Sequence, residues 1–206
     1  DEIETLSTHF SPEPEPVLSL VFKSTDNTFE LSVPIAGSYQ IENIRTALGA
    51  AIHLKNMGWD LKKKSIVSGI ENVVRNTGLA GRWQKIGSSP TTICDCAHNV
   101  DGISKILEML KRTPHNNLHF VLGMVGDKDL ASVLALLPKD ATYYFCAADI
   151  PRALSCDKLT KLGREHGLIG KSYGSVASAL QAARSTANTD DLVFVGGSTF
   201  IVAEVV

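Results

Sequence analysis

The chain has 206 residues, 44% of them hydrophobic and 20% charged, and its formal net charge is −2. This length suits one large domain or two small ones, and the balance of 20 basic and 22 acidic residues argues against a dedicated nucleic-acid-binding protein. No apolar run approaches the ~18 residues of a membrane span, and the acidic first residues do not resemble a signal peptide. The four cysteines lack paired C-x-x-C spacing. We therefore expect a cytoplasmic protein with reduced thiols that binds neither nucleic acid nor membranes.

The first part of the chain predicts a short β structure. Residues 1–16 carry prolines in alternation, which is typical of a linker or an edge segment, because proline cannot donate a backbone hydrogen bond. Residues 17–22 and 28–33 are rich in β-forming residues, and apolar and polar side chains alternate in the second run. These two runs predict a hairpin with one buried face.

A different periodicity follows. Apolar residues at helical spacing predict one helix through residues 41–52 that ends near Gly58, and a second, shorter helix through residues 66–73. Residues 76–81 contain two glycines and no periodic pattern. We interpret this stretch as a break between two parts of the chain.

Beyond the break, apolar strands alternate with amphipathic helices, which predicts a doubly wound, mostly parallel, Rossmann-like α/β sheet covered on both faces. The predicted strands are residues 91–94, 118–122, 141–146, 169–173 and 192–195. In such sheets ligands bind at the carboxyl ends of the strands. The loops to inspect are therefore residues 95–99, 123–129, 147–152 and 196–199.

The first of these loops carries three polar side chains directly after a buried strand, Asp95, His98 and Asn99. One interpretation is structural, with Asn99 capping the next helix. The other is functional, with Asp95 accepting hydrogen bonds from sugar hydroxyls or lying near a metal, and His98 facing a charged substrate. Both remain open at this point.

Two residues upstream are further candidates. Arg82 stands at the predicted break, where its guanidinium group could bind phosphate oxygens or simply be solvated. Asn43 lies at the start of the first predicted helix. Its amide could pair with the N6 and N7 edge of adenine, or it could merely solvate the first turn.

Other binding motifs are absent or incomplete. The run Gly167–Ser172 is two residues too short between its glycines for a phosphate-binding loop, and it follows a predicted helix, so we interpret it as a turn that leads into a strand. Cys94 and Cys96 provide only two soft ligands, and alternate residues of a strand face opposite ways. We therefore predict no metal site in this chain.

Taken together, the order and spacing of these motifs resemble the folylpolyglutamate synthase/dihydrofolate synthase family, within the wider Mur ligase group. The resemblance covers the chain from about Pro34 to Ser198, although Cys96 and Val100 depart from the usual family residues. The motifs are, in chain order, Gly37-x-Tyr39-Gln40-x-x-Asn43-x-x-x-Ala47, Gly81-Arg82, Asp95-x-Ala97-His98-Asn99, Asp127-Lys128-Asp129, Pro151-Arg152-Ala153 and Gly197-Ser198.

This resemblance implies an ATP-dependent ligase that adds L-glutamate to folate or dihydropteroate through an acyl phosphate. It implies that Asn43, Arg82 and Asp95 bind ATP, that His98 and Ser198 lie near glutamate, and that Arg82, Asp95 and His98 take part in catalysis. It also implies ATP and Mg²⁺ as cofactors, small-molecule substrates only, and a monomer.

The same resemblance implies that the chain is incomplete. Residues 1–80 correspond to the end of the central ATP-binding domain, and residues 81–206 to the whole C-terminal glutamate ligase domain. The phosphate-binding loop and the Mg²⁺ ligands are expected in a preceding part of a longer enzyme. We therefore expect this chain to have no catalytic turnover by itself.

Two alternatives stay open. A Mur-type ligase acting on peptidoglycan precursors would share the C-terminal domain, but the Tyr39-Gln40 and Asp127-Lys128-Asp129 elements favour the folate branch. A non-catalytic, Rossmann-like nucleotide-binding module is disfavoured because no G-x-G-x-x-G motif follows the first strand of the sheet.

Overall fold

The computed structural model describes residues 3–11, 16–25, 27–126 and 130–206. Its contacts divide the chain into two compact units, Asp1–Arg82 and Trp83–Val206, and each is described by itself. Within the described residues, every helix is too short or too polar to span a bilayer.

The unit Asp1–Arg82 contains a three-stranded antiparallel sheet in the order β1-β2-β3. Its strands are β1 (Glu4–Ser11), β2 (Val17–Lys23) and β3 (Thr28–Val33). The predicted hairpin is confirmed as β2 and β3. The first residues form an edge strand rather than a linker, whereas Pro12 and Pro14, on which that interpretation partly rested, lie outside the described residues.

Three helices complete this unit: α1 (Gln40–Asn56), α2 (Lys63–Glu71) and α3 (Val73–Thr77). The first prediction is confirmed, whereas the second helix starts earlier than predicted, at Lys63, and also ends earlier, at Glu71. Asn72 leaves the helical conformation, with φ −103° and ψ 20°, and its Nδ2 donates to the Ser68 carbonyl at 2.8 Å. Val73 therefore starts a new helix, which Gly78 ends in the left-handed conformation.

The core of this unit lies between one face of the sheet and the helices. Phe29, Leu31 and Val33 alternate with exposed residues along β3, and all three are buried. They share one cluster with Ile44 and Leu48 of α1. The alternation seen in the sequence thus reflects a strand with one buried face.

The unit Trp83–Val206 contains a six-stranded sheet in the order β4-β5-β9-β6-β7-β8, parallel except for β4. Its strands are β4 (Gln84–Ser88), β5 (Thr91–Asp95), β6 (Leu118–Leu122), β7 (Thr142–Phe145), β8 (Ile169–Ser172) and β9 (Leu192–Gly196). Its helices are α4 (Val100–Arg112), α5 (Leu130–Leu136), α6 (Cys156–Glu165), α7 (Val176–Thr186) and α8 (Thr199–Ala203).

The predicted Rossmann-like α/β sheet is confirmed, with two differences in detail. The sequence pattern does not predict β4, because Gln84–Ser88 has five residues without apolar alternation. This strand exists because it pairs antiparallel with β5. The sequence also predicts a helix that begins at Thr199 and runs to Val206, and in the structure this helix ends at Ala203.

Side chains fill both faces of this sheet. On one face Phe120 packs edge-on against Phe194, with ring centroids 4.9 Å apart, and stacks on Tyr143 at 5.5 Å. On the other face Val121 and Val195 belong to a separate buried cluster. Burial on both faces explains why the strands have continuous apolar runs instead of alternation.

Candidate functional site

The carboxyl ends of three neighbouring strands meet at one edge of the six-stranded sheet. Asp95 of β5 and Leu122 of β6 both pair in register with Gly196 of β9. Gly197 follows with φ +95°, and a Cβ atom there would lie 2.7 Å from the carbonyl oxygen of Gly123. Two loop backbones therefore touch at a position that only glycine fits.

Asp95 is the most constrained of the predicted site residues. It is 1% exposed. Its Oδ2 accepts a hydrogen bond of 2.7 Å from the backbone amide of Trp83, and its Oδ1 accepts one of 2.8 Å from the amide of Ala97. One carboxylate thus fixes the segment before β4 and the loop after β5. Each carboxylate oxygen can accept a second hydrogen bond.

Trp83 has an unusual backbone conformation, with φ +47°. Bulky residues rarely adopt this left-handed region, and their strain must be offset by surrounding contacts. Trp83 is buried, its ring lies 5.9 Å from that of Phe194, and its amide is bonded to Asp95. The exposed Arg82 directly precedes Trp83. Asp95 therefore fixes the backbone immediately after Arg82.

In the loop after β5 the structural interpretation is confirmed, and the functional interpretation of Asp95 and His98 stays a prediction. Asn99 caps α4, since its Oδ1 accepts a 2.8 Å hydrogen bond from the Gly102 amide. His98 is exposed, and its Nδ1 lies 3.1 Å from the carbonyl oxygen of Cys96. That contact requires a proton on Nδ1, which in the neutral ring leaves Nε2 as the acceptor.

The loop after β9 holds Ser198 at the first position before α8. Ser198 is 3% exposed, and its Oγ accepts a hydrogen bond of 3.2 Å from the Phe200 amide. Arg152, in the loop after β7, lies with its guanidinium carbon 4.6 Å from the centre of the Phe200 ring. Sequence analysis did not predict Arg152 as a site residue, although the Pro151-Arg152-Ala153 motif was the available signal.

The remaining predicted residue, Asn43, is exposed on the first turn of α1. Its Nδ2 donates to Oε1 of Gln40 at 2.9 Å. Asn43 and Arg82 belong to the unit Asp1–Arg82, whereas Asp95, His98 and Ser198 belong to Trp83–Val206. The strand register brings the loops of the last three residues to one edge of the sheet.

The described residues provide no group of three or more His, Cys, Asp or Glu side chains that could hold a metal ion. A Mg²⁺ ion prefers carboxylate and phosphate oxygens, so this part of the chain does not fit a Mg²⁺ site. Burial raises the pKa of the Cys94 and Cys146 thiols to about 12. The Asp127-Lys128-Asp129 motif lies outside the described residues.

Comparisons with known proteins agree with this architecture. The family model for the Mur ligase glutamate ligase domain matches residues 81–199. The dihydrofolate synthase/folylpolyglutamate synthase of Escherichia coli is 36% identical over 165 residues, which are 79% of this chain and 36% of that protein. The structure of E. coli FolC in complex with DHPP and ADP has a TM-score of 0.73 and 30% identity, and it covers 97% of this chain and 45% of that one.

A second solved structure comes from Yersinia pestis, a bifunctional folylpolyglutamate synthase/dihydrofolate synthase with Mn, AMPPNP and L-glutamate bound. It has a TM-score of 0.71 and 26% identity, and covers 97% of this chain and 45% of that one. The chain thus spans less than half the length of the proteins it matches. The family resemblance inferred from the motifs is confirmed, and the chain belongs to the Mur ligase family, with folylpolyglutamate and dihydrofolate synthases among its homologues.

Proposed function

We propose that this chain is the C-terminal part of an ATP-dependent ligase that adds L-glutamate to folate, to dihydropteroate, or to both. The observation that carries the proposal is the match of nearly the whole chain to the E. coli enzyme whose complex contains DHPP and ADP. In the proposed reaction the substrate carboxylate is activated as an acyl phosphate. The amine of glutamate then forms the amide, and phosphate is released.

The nucleotide-binding residues are proposed on the chemistry of their side chains. The Asn43 amide offers a donor and an acceptor that match the N6 and N7 edge of adenine. The exposed Arg82 carries a fixed positive charge suited to phosphate oxygens. Asp95 is proposed to accept a hydrogen bond from a ribose hydroxyl, because its carboxylate oxygens are strong acceptors.

Glutamate is proposed to bind at the carboxyl edge of the sheet. His98 is exposed there, and Ser198 has a hydroxyl that can donate a hydrogen bond while its oxygen caps α8. The Ser198 hydroxyl can therefore bond a carboxylate, whereas the neutral His98 ring offers Nε2 as an acceptor for the amine of glutamate. The guanidinium group of Arg152 places a positive charge against the Phe200 ring of α8 at this edge, which favours an anionic amino acid.

The proposed domain assignment follows the same comparison. Residues 1–80 would be the end of the central ATP-binding domain, and residues 81–206 the C-terminal domain. The triphosphate loop and the Mg²⁺ ligands would belong to the part of the longer enzyme that this chain does not cover, since the chain matches 45% of the E. coli enzyme. Bound Mg²⁺ would neutralise phosphate charge during the transfer. We propose a cytoplasmic monomer that works only as the longer enzyme.

The decisive experiment substitutes Arg82 in the full-length protein that contains this chain. We expect Arg82→Ala to lower kcat/KM for ATP-dependent glutamate addition by about 10²-fold or more, because an arginine that stabilises phosphoryl charge is worth that much. The matched control is Arg75→Ala, an exposed arginine in the same unit. Unchanged activity of Arg82→Ala would refute the proposed role.

Substrate class is tested in the same assay. Dihydropteroate, tetrahydrofolate and a muramyl peptide precursor are offered separately with ATP and L-glutamate. The proposal requires turnover of at least one of the two pterin substrates, and turnover of the muramyl precursor alone would assign the chain to peptidoglycan synthesis. The 206-residue chain is assayed in parallel and is expected to show no turnover.

A further inference from the structure

The turn before α1 directs one polar side chain into the interior of the unit. Gly37 has φ +103°, and a Cβ atom there would lie 2.8 Å from the Tyr39 ring. The backbone amide of Gln40 donates a hydrogen bond of 3.0 Å to the Gly37 carbonyl oxygen, and this bond closes the turn. Gln40 is therefore the first residue of α1 and only 4% exposed.

The buried side-chain amide of Gln40 lacks part of the hydrogen bonds that it could form. Within the part of the chain that the structure describes, its Nε2 has no hydrogen-bond partner. Its Oε1 accepts one hydrogen bond, from Nδ2 of Asn43. An unsatisfied buried donor is costly, and an apolar side chain of similar size would fill this position without that cost. The contact with Asn43 is the only hydrogen bond of the Gln40 side chain among the described residues. It offers a reason why this buried position holds a polar side chain.

That contact decides which way the Asn43 amide faces. The residues lie three positions apart on a helix and therefore share one face. Because Gln40 Oε1 is an acceptor, it selects the nitrogen end of the Asn43 amide and uses one of its two hydrogens. Among the described residues the second Nδ2 hydrogen and Oδ1 of Asn43 make no further hydrogen bond, and they offer a ligand one donor and one acceptor.

This remaining pair distinguishes between the two purines. Adenine presents a donor at N6 and an acceptor at N7, which one donor and one acceptor satisfy, whereas guanine presents acceptors at both O6 and N7. To bind guanine, Asn43 would need both hydrogens of its Nδ2. Gln40 already occupies one of them.

We propose that Gln40 is a positioning residue that sets nucleobase specificity, by holding the Asn43 amide in the orientation that matches adenine and not guanine. This inference rests on the proposed function, in which Asn43 contacts the adenine of ATP. It adds a selectivity determinant that does not itself touch the nucleotide.

The test measures kcat/KM of the full-length protein with ATP and with GTP. Gln40→Met preserves length and removes the acceptor. We expect it to lower the ATP-to-GTP ratio at least about fivefold, the lower end of the discrimination given by a bidentate base contact. The kcat at saturating ATP should stay within about twofold. If Gln40→Met does not fold, Gln40→Asn is used in its place, because its side chain is one methylene shorter.

Two control variants make the outcomes distinguishable. Asn43→Ala must also lower the ratio, and if it does not, the proposed adenine contact fails and the inference fails with it. If Asn43→Ala lowers the ratio while the Gln40 variant leaves it unchanged, the inference is overturned and the proposed function stands. Ile44→Val alters the neighbouring core position. If Ile44→Val lowered the ATP-to-GTP ratio as much as the Gln40 variant does, the effect would be one of general packing, and the inference would also be overturned.

Discussion

The backbone amide of Trp83 donates a 2.7 Å hydrogen bond to Oδ2 of Asp95. Trp83 directly precedes β4, Asp95 is the last residue of β5, and both are almost fully buried. The bond stabilises a tryptophan in a left-handed conformation directly after Arg82. Asp95 is therefore a structural residue as well as a proposed ligand-binding residue, and its substitution should affect stability as well as activity.

We predict that Asp95→Ala lowers the free energy of unfolding by about 2–4 kcal/mol, because it removes the acceptor of two backbone amides, one of the buried Trp83 and one of the partly buried Ala97. Urea denaturation of the purified protein measures the change. Asp101→Ala is the control, since Asp101 is exposed and, among the described residues, forms an ion pair with the exposed Lys105; it should cost less than about 1 kcal/mol. Equal costs for the two variants would contradict the prediction.

Gly197→Ala should destabilise the protein by about 2 kcal/mol or more. Gly197 has φ +95°, and its Cβ would collide with the Gly123 carbonyl oxygen at 2.7 Å, so the loop that carries Ser198 must shift. Gly69→Ala is the matched control, because Gly69 lies inside α2 with nothing within 4 Å of a new Cβ. It should stabilise the protein by about 0.5–1 kcal/mol. Thermal unfolding measures both changes. A shift of Tm in the same direction for the two variants would refute these expectations.

The Asp191 carboxylate should make stability depend on pH in the acid range. Asn188 and Asn117 each donate a backbone and a side-chain hydrogen bond to it. The backbone amide of Asn188 contributes most to lowering the pKa of Asp191 from 3.8 to about 2. His119 Nε2 also faces Oδ2, at 3.5 Å.

A carboxyl group whose pKa is lower in the folded state stabilises the protein above its unfolded pKa. This contribution is complete above about pH 5 and is lost as the pH falls towards 2. Asp191→Asn should therefore be less stable than the wild-type protein at pH 6, and the difference should shrink on acidification. Urea denaturation at several pH values checks this, and a difference that stays constant from pH 6 to pH 2.5 would contradict it.

Thiol reactivity should differ sharply among the cysteines. Burial raises the pKa of Cys94 and Cys146 to about 12, so almost no thiolate forms at pH 8. Cys156 is only partly buried. We predict that iodoacetamide labels Cys156 well before Cys94 or Cys146, as measured by mass spectrometry of the digested protein. Labelling in denaturant is the control and should reach all three, whereas early labelling of Cys146 in the folded protein would refute the prediction.

Periodicity in the sequence was sufficient to predict the elements of the α/β unit. Val193 and Val195 lie in strands buried on both faces, which produces an apolar run that is recognisable without the structure. The order of strands and helices also predicts which loops lie at the ligand-binding edge. The short strand Gln84–Ser88 escaped detection because its conformation depends on pairing with β5 and not on its own side chains.

The motifs likewise identified Asp95, His98 and Ser198 as candidates and suggested the family, but only tertiary contacts showed what holds them. Capping by Asn99 is local and could be proposed from sequence, since its partner is three residues away. The bond between Trp83 and Asp95 spans twelve positions.

Such long-range bonds cannot be inferred from local patterns, because they depend on which segments the folded sheet brings together. Residue types and their spacing therefore determined the fold class and the candidate residues. The tertiary structure decided which of those polar groups are already committed to the backbone and which remain available to a ligand.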